Sequence, residues 1–301
     1  MRNLFLMAIV GLLAQMVDGS LGMGYGVTSS SLMIAVGIAP AAASAAVHLS
    51  EVGTALISGF AHHRFGNVDW RIVGIMAVPG GIGAFMGANF LVSLPADVAK
   101  PWVALLLCLL GAYVLFRFLI LSGRRPQFKG QVKAAFLMPL GLLAGTMDAI
   151  GGGGWGPIGT TSLLSTGKIE PRKVIGSISA TEFIVAVSAS LGFLLALGRE
   201  GINFAWVLAL LAGGVIAAPV SAWLVRHLAA AVLGVAAGSL IILTNAKTMM
   251  ETWGGAEKNS APVWLTLAVL AAAAGQMITQ AVRKELRRRR EEEPERELAG
   301  A

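Results

Sequence analysis

The sequence predicts an all-α polytopic membrane protein with an inverted internal repeat. Each half is a re-entrant broken-helix hairpin plus three transmembrane helices, and an extra C-terminal transmembrane helix follows. Three observations predict it. Of 301 residues, 56% are hydrophobic and 13% charged, with a mean hydropathy of +0.75. A soluble domain carries about a quarter charged residues, so a water-soluble enzyme or nucleic-acid binder is excluded. Apolar runs recur at the roughly 20-residue length that crosses a bilayer. The chain also repeats itself: GLLAQMVDGSLGMGYGVTSSSL from Gly11 reads against GLLAGTMDAIGGGGWGPIGTTSL from Gly141 at an offset of 130.

The repeat pairs Asp18 with Asp148, Gly22 with Gly152, Gly24 with Gly154, Tyr25 with Trp155 and Gly26 with Gly156. One inserted residue later, Pro40 pairs with Pro171, Ser50 with Thr181 and Glu51 with Glu182. Each half then enters a glycine-rich apolar segment, with Gly80-Gly81 in one and Gly213-Gly214 in the other. Arg2 followed by the run from Leu4 to Leu13 reads like a signal peptide in isolation. Its second copy instead assigns it to the fold.

Apolar segments fall near 4–35, 40–61, 70–93, 101–121, 134–165, 174–197, 203–225, 228–246 and 262–282. The first of each half runs about 32 residues and is interrupted by glycines, so it is either one long tilted helix or a hairpin of two short limbs. Charge decides between them. Arg124, Arg125, Lys129 and Lys133 precede the fifth segment, and Lys168, Arg172 and Lys173 follow it. A crossing segment would strand one basic loop outside, whereas a hairpin keeps both in the cytoplasm.

His62, His63, Arg64, Arg71, Arg226 and the tail from Arg283 are then cytoplasmic. Asp97 with Lys100, Arg199 with Glu200, and the loop from Lys247 to Lys258 face outward. The expected organisation is a first repeat over 1–122, a basic linker over 123–133 and a second repeat over 134–250. A periplasmic loop and extra helix occupy 251–282, and a charged cytoplasmic tail 283–301. With an odd number of crossings per half the repeats insert oppositely, an arrangement common in secondary transporters with a midplane substrate site. The basic pI near 10.0 reports orientation in this setting. Cys108 lies within an apolar run, so neither a disulfide framework nor a cysteine metal cluster is expected.

The glycine breaks carry the chemistry. A helix restarting after GMGYG or GGGGWG aims unpaired N–H groups and the positive end of its dipole into the protein, which suits an anion. Candidate substrate-binding residues are Gly22, Gly24, Tyr25, Gly26 and Ser30 in the first half, and Gly152, Gly154, Trp155, Gly156, Thr160 and Thr161 in the second. Thr28, Ser29, Ser31 and Ser162 add hydroxyls. The competing reading is that the glycines only permit close helix packing while the hydroxyls bond their own backbone.

Glu51 and Glu182 are carboxylates in apolar segments, where an unpaired charge costs on the order of 3 kcal/mol on insertion scales. His48 lies one turn before Glu51, and Ser179 one turn before Glu182. These residues are candidates for proton coupling or for bracing the hairpins, together with Asp18 and Asp148, which stand where they can cap the restarted limbs. Coordination of a coupling cation by the aspartates is the alternative role. Gly83, Gly87 and Gly213 read as packing positions, and the His62-His63 pair is too sparse for a metal site.

The duplicated G-L-L-A opening before a glycine-rich break, the Pro-led second helix and the G-N-V-D-W segment at Gly66–Trp70 resemble the TauE/SafE family of sulfite exporters and related anion permeases. The resemblance spans roughly residues 5–250 in both halves. It implies export or exchange of sulfite, organosulfonates or related small anions across the inner membrane, coupled to protons. The DGSLGMGYG spacing departs from the commoner glycine pattern of that family.

The reading is therefore a secondary anion transporter working by alternating access. It is embedded in the bilayer with a cytoplasmic C-terminus, needs no cofactor or metal, has no nucleic-acid partner and leaves the oligomeric state open. A passive anion channel, or a cation transporter using Asp18, Asp148, Glu51 and Glu182, are the alternatives. An enzyme is not expected, because no nucleophile, base and orienting group stand at a recognisable spacing.

Overall fold

The computed structural model describes residues 2–21, 23–120, 130–227, 230–257 and 260–299. Gly22, Arg124, Arg125 and Lys129 lie outside the described residues, as does the side chain of Arg226. The described residues form helices and connections without a strand.

The first half comprises α1 (Arg2–Leu21), α2 (Tyr25–Ala35), α3 (Pro40–Arg64), α4 (Trp70–Ser93) and α5 (Ala96–Ile120). The second comprises α6 (Ala134–Gly151), a π-helical turn (Trp155–Thr160) running into α7 (Thr161–Ser165), then α8 (Pro171–Leu197), α9 (Phe204–His227) and α10 (Ala230–Thr252). Helix α11 (Ala261–Ala299) closes the chain. Six helices are long and apolar enough to cross a membrane: Trp70–Ser93, Ala96–Leu119, Ala134–Gly151, Pro171–Leu197, Ala231–Thr252 and Ala261–Arg287. Helix α3 has 25 residues but carries Ser44, His48, Ser50 and Glu51, and falls outside that set.

Local signals place the ends. Pro40 and Pro171 open α3 and α8 at first-turn positions, where a missing N–H costs nothing. The Asp69 carboxylate caps α4 by accepting from the N–H of Arg71 at 3.0 Å and of Ile72 at 3.4 Å. Both long first segments are broken where expected, with Gly152 at φ 69° ending α6 and Gly24 at φ 116° preceding α2. Those angles are strained for any residue with a Cβ. The limbs are unequal rather than both short. At 1.5 Å per residue α1 and α6 reach about 30 Å and 27 Å, and the 11-residue α2 about 16 Å.

Packing interleaves the halves. Helix α1 lies against α9 and α6 against α4, while α3 packs on α8 and α5 on α10. Exchanging the halves converts the first of these pairs into the second and leaves the other two unchanged. Missing side chains allow the approach: Gly11 sits on the backbone of Leu210, Gly141 on that of Met76, Gly213 on Ala8 and Gly83 on Leu142.

One end of the bundle collects the chain before α6, the chain after α7 and the α3–α4 connection. A Cβ on Gly130 would stand 3.8 Å from the Lys168 side chain. Arg71 Nη1 donates to the Val132 carbonyl at 3.0 Å, the Asp69 N–H to Ser177 Oγ at 2.8 Å and Lys173 Nζ to the Val68 carbonyl at 3.4 Å. Gly176 lies directly beneath Asn67. The final helix packs on α10, and it continues through the charged run to Ala299 rather than ending before a separate tail.

Candidate functional site

The two glycine breaks meet inside the protein. Gly26, in the first turn of α2, lies so close to Gly152 and Gly153 that a Cβ on Gly26 or Gly153 would enter the opposing backbone. Around this contact the first half grips the second by its main chain. Ser30 Oγ donates to the Gly152 carbonyl at 3.1 Å, Ser44 Oγ to the Ala149 carbonyl at 2.6 Å and His48 Nε2 to the Asp148 carbonyl at 3.3 Å.

The aspartates stand at the restarts. Asp148, 3% exposed, accepts through Oδ1 from the N–H groups of Gly154 at 2.6 Å and Trp155 at 2.8 Å. Asp18 Oδ1 accepts from the Tyr25 N–H at 3.4 Å. In both halves a carboxylate of the chain thus bonds N–H donors that the sequence offers to an anion. These three N–H groups are satisfied within the chain.

The hydroxyls divide into two sets. Ser30 donates to Gly152, Thr161 to the carbonyl of Pro157, and Ser31 accepts from Asn245 Nδ2 at 2.7 Å. Thr28 Oγ1, Ser29 Oγ and Thr160 Oγ1 are buried and unpartnered among the described residues. A buried hydroxyl without a partner forfeits about 1–3 kcal/mol.

The paired aromatics are wedges between the halves. The Tyr25 ring stands at Gly214 of α9, and its hydroxyl donates to the Leu210 carbonyl at 3.2 Å, with Ser50 Oγ at 3.3 Å. The fully buried Trp155 ring lies on Gly80 of α4, and its Nε1 donates to the Ile178 carbonyl at 3.1 Å. Gly156 packs against Met23 and Gly24.

Below the breaks lies a buried ionisable group. His48 Nδ1 is 2.9 Å from Glu51 Oε2 and 3.9 Å from Asp148 Oδ2. Glu51 Oε1 faces Gly26. Phe193 of α8 stacks on the His48 ring, centroids 6.0 Å apart and planes at 21°. His48, Glu51 and Asp148 each offer a ligand atom within 4.8 Å of the others, a donor set that suits a cation. The 2.9 Å His48–Glu51 contact is a direct hydrogen bond.

The matching place in the second half differs. Ser179 is buried beside Gly59, Glu182 is half-buried, and among the described residues no hydrogen bond joins the two. Asn245 and Phe193 are contributors that the sequence reading passed over. A lone amide in an apolar span was the available signal for Asn245, whereas Phe193 gave none.

Residues 7–248 match the family described as "Sulfite exporter TauE/SafE". The chain belongs to the TauE/SafE family. It is 51% identical over 260 residues to the probable membrane transporter protein YtnM of Bacillus subtilis (strain 168), covering 84% of this chain and 85% of that protein. A more distant relative, the probable membrane transporter protein YdhB of the same organism, is 26% identical over 147 residues, 47% of this chain and 58% of its own length. No solved structure matches. This TauE/SafE protein is a multi-pass membrane transporter, and the breaks, hydroxyls and His48–Glu51 pair all fall inside the matched region.

Proposed function

We propose that the protein is a secondary transporter exporting or exchanging a small anion, sulfite or an organosulfonate or related sulfur oxoanion, across the cytoplasmic membrane. Alternating access moves the substrate, and protons are coupled to it through His48 and Glu51. The observation that carries this reading is the contact of Gly26 with Gly152 and Gly153, which brings the hydroxyl-rich segment of one half against the break of the other. Thr28, Ser29 and Thr160, on the stretches that follow the two breaks, carry buried hydroxyls without a partner among the described residues, suited to oxyanion oxygens. The description of the family as sulfite exporters agrees with a sulfur oxoanion.

The halves insert with opposite orientation, and α2 and the Trp155–Ser165 stretch are the returning limbs of two re-entrant hairpins. Clustering of Gly130 and Lys168 at one end supports this arrangement for the second half. The C-terminus is then cytoplasmic. The test is a thermal-shift panel on purified protein with sulfite, sulfate, thiosulfate, short sulfonates and carboxylates, followed by flux into proteoliposomes. Stabilisation by a sulfur oxoanion and concentrative uptake support the reading. Uptake that only equilibrates supports a passive channel instead.

A second reading, cation transport, is favoured by the gathering of Asp148, Glu51 and His48. It predicts that sodium or a divalent ion, and no oxyanion, raises the melting temperature.

A further inference from the structure

We propose that the groove between α10, α11 and the end of α2 binds one phospholipid whose headgroup is zwitterionic with a primary ammonium. Its acyl chain fills the groove, its phosphate meets Lys247 and its ammonium meets Glu251. The inference needs only a membrane-embedded chain and is independent of what the protein carries.

The groove has a volume of about 410 Å³, and its walls include Leu243, Thr244 and Lys247 of α10, Trp264 and Leu267 of α11 and Ala35 at the end of α2. Pockets of about 300–1,000 Å³ bury most of a small ligand. Helices α10 and α11 are both long and apolar enough to cross the bilayer, so a groove open between them faces hydrocarbon. Thr244 Oγ1 is spent on its own helix, at 2.9 Å from the Leu240 carbonyl and 3.0 Å from that of Ile241. Lys247 is then the polar group of the wall, and what fits is an apolar chain with a charged head.

Charge specifies the head. Lys247 Nζ lies 3.5 Å from Glu251 Oε1, one turn further along α10, with the side chains 27% and 13% exposed. The lysine stem thus runs along the helix toward its end, as a snorkelling cation does. Two features leave this pair incomplete. Glu251 stands in the last turn of α10, which ends at Thr252 and has no basic residue there. Its charge meets the negative end of the helix dipole, and lysine before glutamate is the weaker order of an i, i+4 pair. Glu251 Oε1 is also buried and accepts no hydrogen bond among the described residues. A carboxylate so placed is completed by a positively charged N–H donor. A purely anionic headgroup would satisfy Lys247 and bring a second negative charge to Glu251, whereas phosphate with ammonium satisfies both. In such a headgroup the two charges are joined through two carbons, and side chains four apart on a helix stand about 5–6 Å apart at Cβ, so one headgroup reaches both.

Indoles set the depth. Trp253 directly follows α10 and meets Trp102 of α5 edge to face, centroids 4.9 Å apart, and Trp264 lies in the first turn of α11. All three are exposed, as in the aromatic belt at a membrane–water interface. Lys247 precedes the end of α10 at Thr252 by about 8 Å of helix, which its long side chain spans to headgroup level.

Trp264 also serves as the reporter. Full-length protein is reconstituted in phosphatidylcholine with rising fractions of brominated phosphatidylethanolamine, phosphatidylglycerol or phosphatidylcholine. The Trp264 signal is the difference between wild type and Trp264→Phe. Half-quenching is expected at about a threefold lower fraction of phosphatidylethanolamine than of the other two, the size that partly exposed charge contacts allow. In Glu251→Gln the preference should pass to phosphatidylglycerol, because Lys247 is left uncompensated. Equal quenching by the three lipids marks ordinary boundary lipid and overturns the proposal. A signal that no brominated lipid reaches marks a groove closed by a second copy of the chain and overturns it too. A second measurement needs no variant: native mass spectrometry of wild type from micelles with equal amounts of phosphatidylethanolamine and phosphatidylglycerol should show one retained phosphatidylethanolamine. Retention of phosphatidylglycerol instead, or of neither, overturns the proposal. Neither measurement reads flux, so failure of the transport reading leaves this inference standing.

Discussion

Ser30 Oγ donates to the Gly152 carbonyl across 3.1 Å, tying the helix that restarts after one break to the residue at the other break, 122 positions away. The same seam contains the Gly26–Gly153 backbone contact, and the first prediction concerns it. Gly153→Ala places a methyl against the Val27 nitrogen and the Gly26 carbonyl carbon. Overpacking costs about 1–3 kcal/mol and more where the neighbour is backbone. We expect a lower melting temperature in detergent and loss of flux, whereas Gly74→Ala, with nothing within 4 Å of its Cβ, leaves both unchanged. Equal melting temperatures for the two variants would show that the breaks do not touch.

Removing the caps should cost unequally. Asp148→Ala abandons two short hydrogen bonds to buried N–H groups, and Asp18→Ala abandons one long one. At about 1–3 kcal/mol for each donor left unsatisfied, Asp148→Ala should lose roughly twice the stability of Asp18→Ala in a denaturant titration. The reverse order would contradict the geometry.

Hydroxyls offer a sharper contrast. Thr28→Val and Thr160→Val remove groups that have no partner among the described residues, so folding stability should stay level or rise, while stabilisation by sulfite disappears. Ser30→Ala breaks a bond and should lower stability by about 0.5–1.5 kcal/mol. Full sulfite stabilisation in both valine variants would remove these hydroxyls from the site.

Replacing Glu51 tests coupling directly. Glu51→Gln keeps the size of the side chain but cannot release a proton, so flux should be lost or become independent of pH. Wild-type pH dependence in Glu51→Gln reconstituted in liposomes would eliminate the role.

Topology can be read chemically. The chain has one cysteine, Cys108, so a Cys108→Ser background allows single thiols at positions 131 and 168. Both should react with an impermeant reagent from the same side, as the proximity of Gly130 to Lys168 requires, and the topology proposed above makes that side cytoplasmic. Labelling from opposite sides would refute the hairpin.

Much of this molecule is written locally. The breaks at Gly24 and Gly152, the Pro-led α3 and α8 and the one-turn spacing of His48 and Glu51 all depend on residues near in sequence, and each is visible in the chain. What the restarted N–H groups bind is not local. Asp148 fills them from six and seven residues back, through a loop geometry that a list of glycines does not fix. Which hydroxyls stay free is set by partners far along the chain, Gly152 for Ser30 and Asn245 for Ser31, and composition weighs them all alike. The unequal limbs were hidden because apolar residues continue unchanged through helix and break.

The knot of contacts among Asn67, Asp69, Lys173, Gly176 and Ser177 closes one end of the bundle with main-chain atoms. If the protein opens to each face in turn, as proposed above, these ties are among those that have to part whenever it opens at this end. A disulfide between positions 67 and 176 should then depress flux, and a reducing agent should restore it.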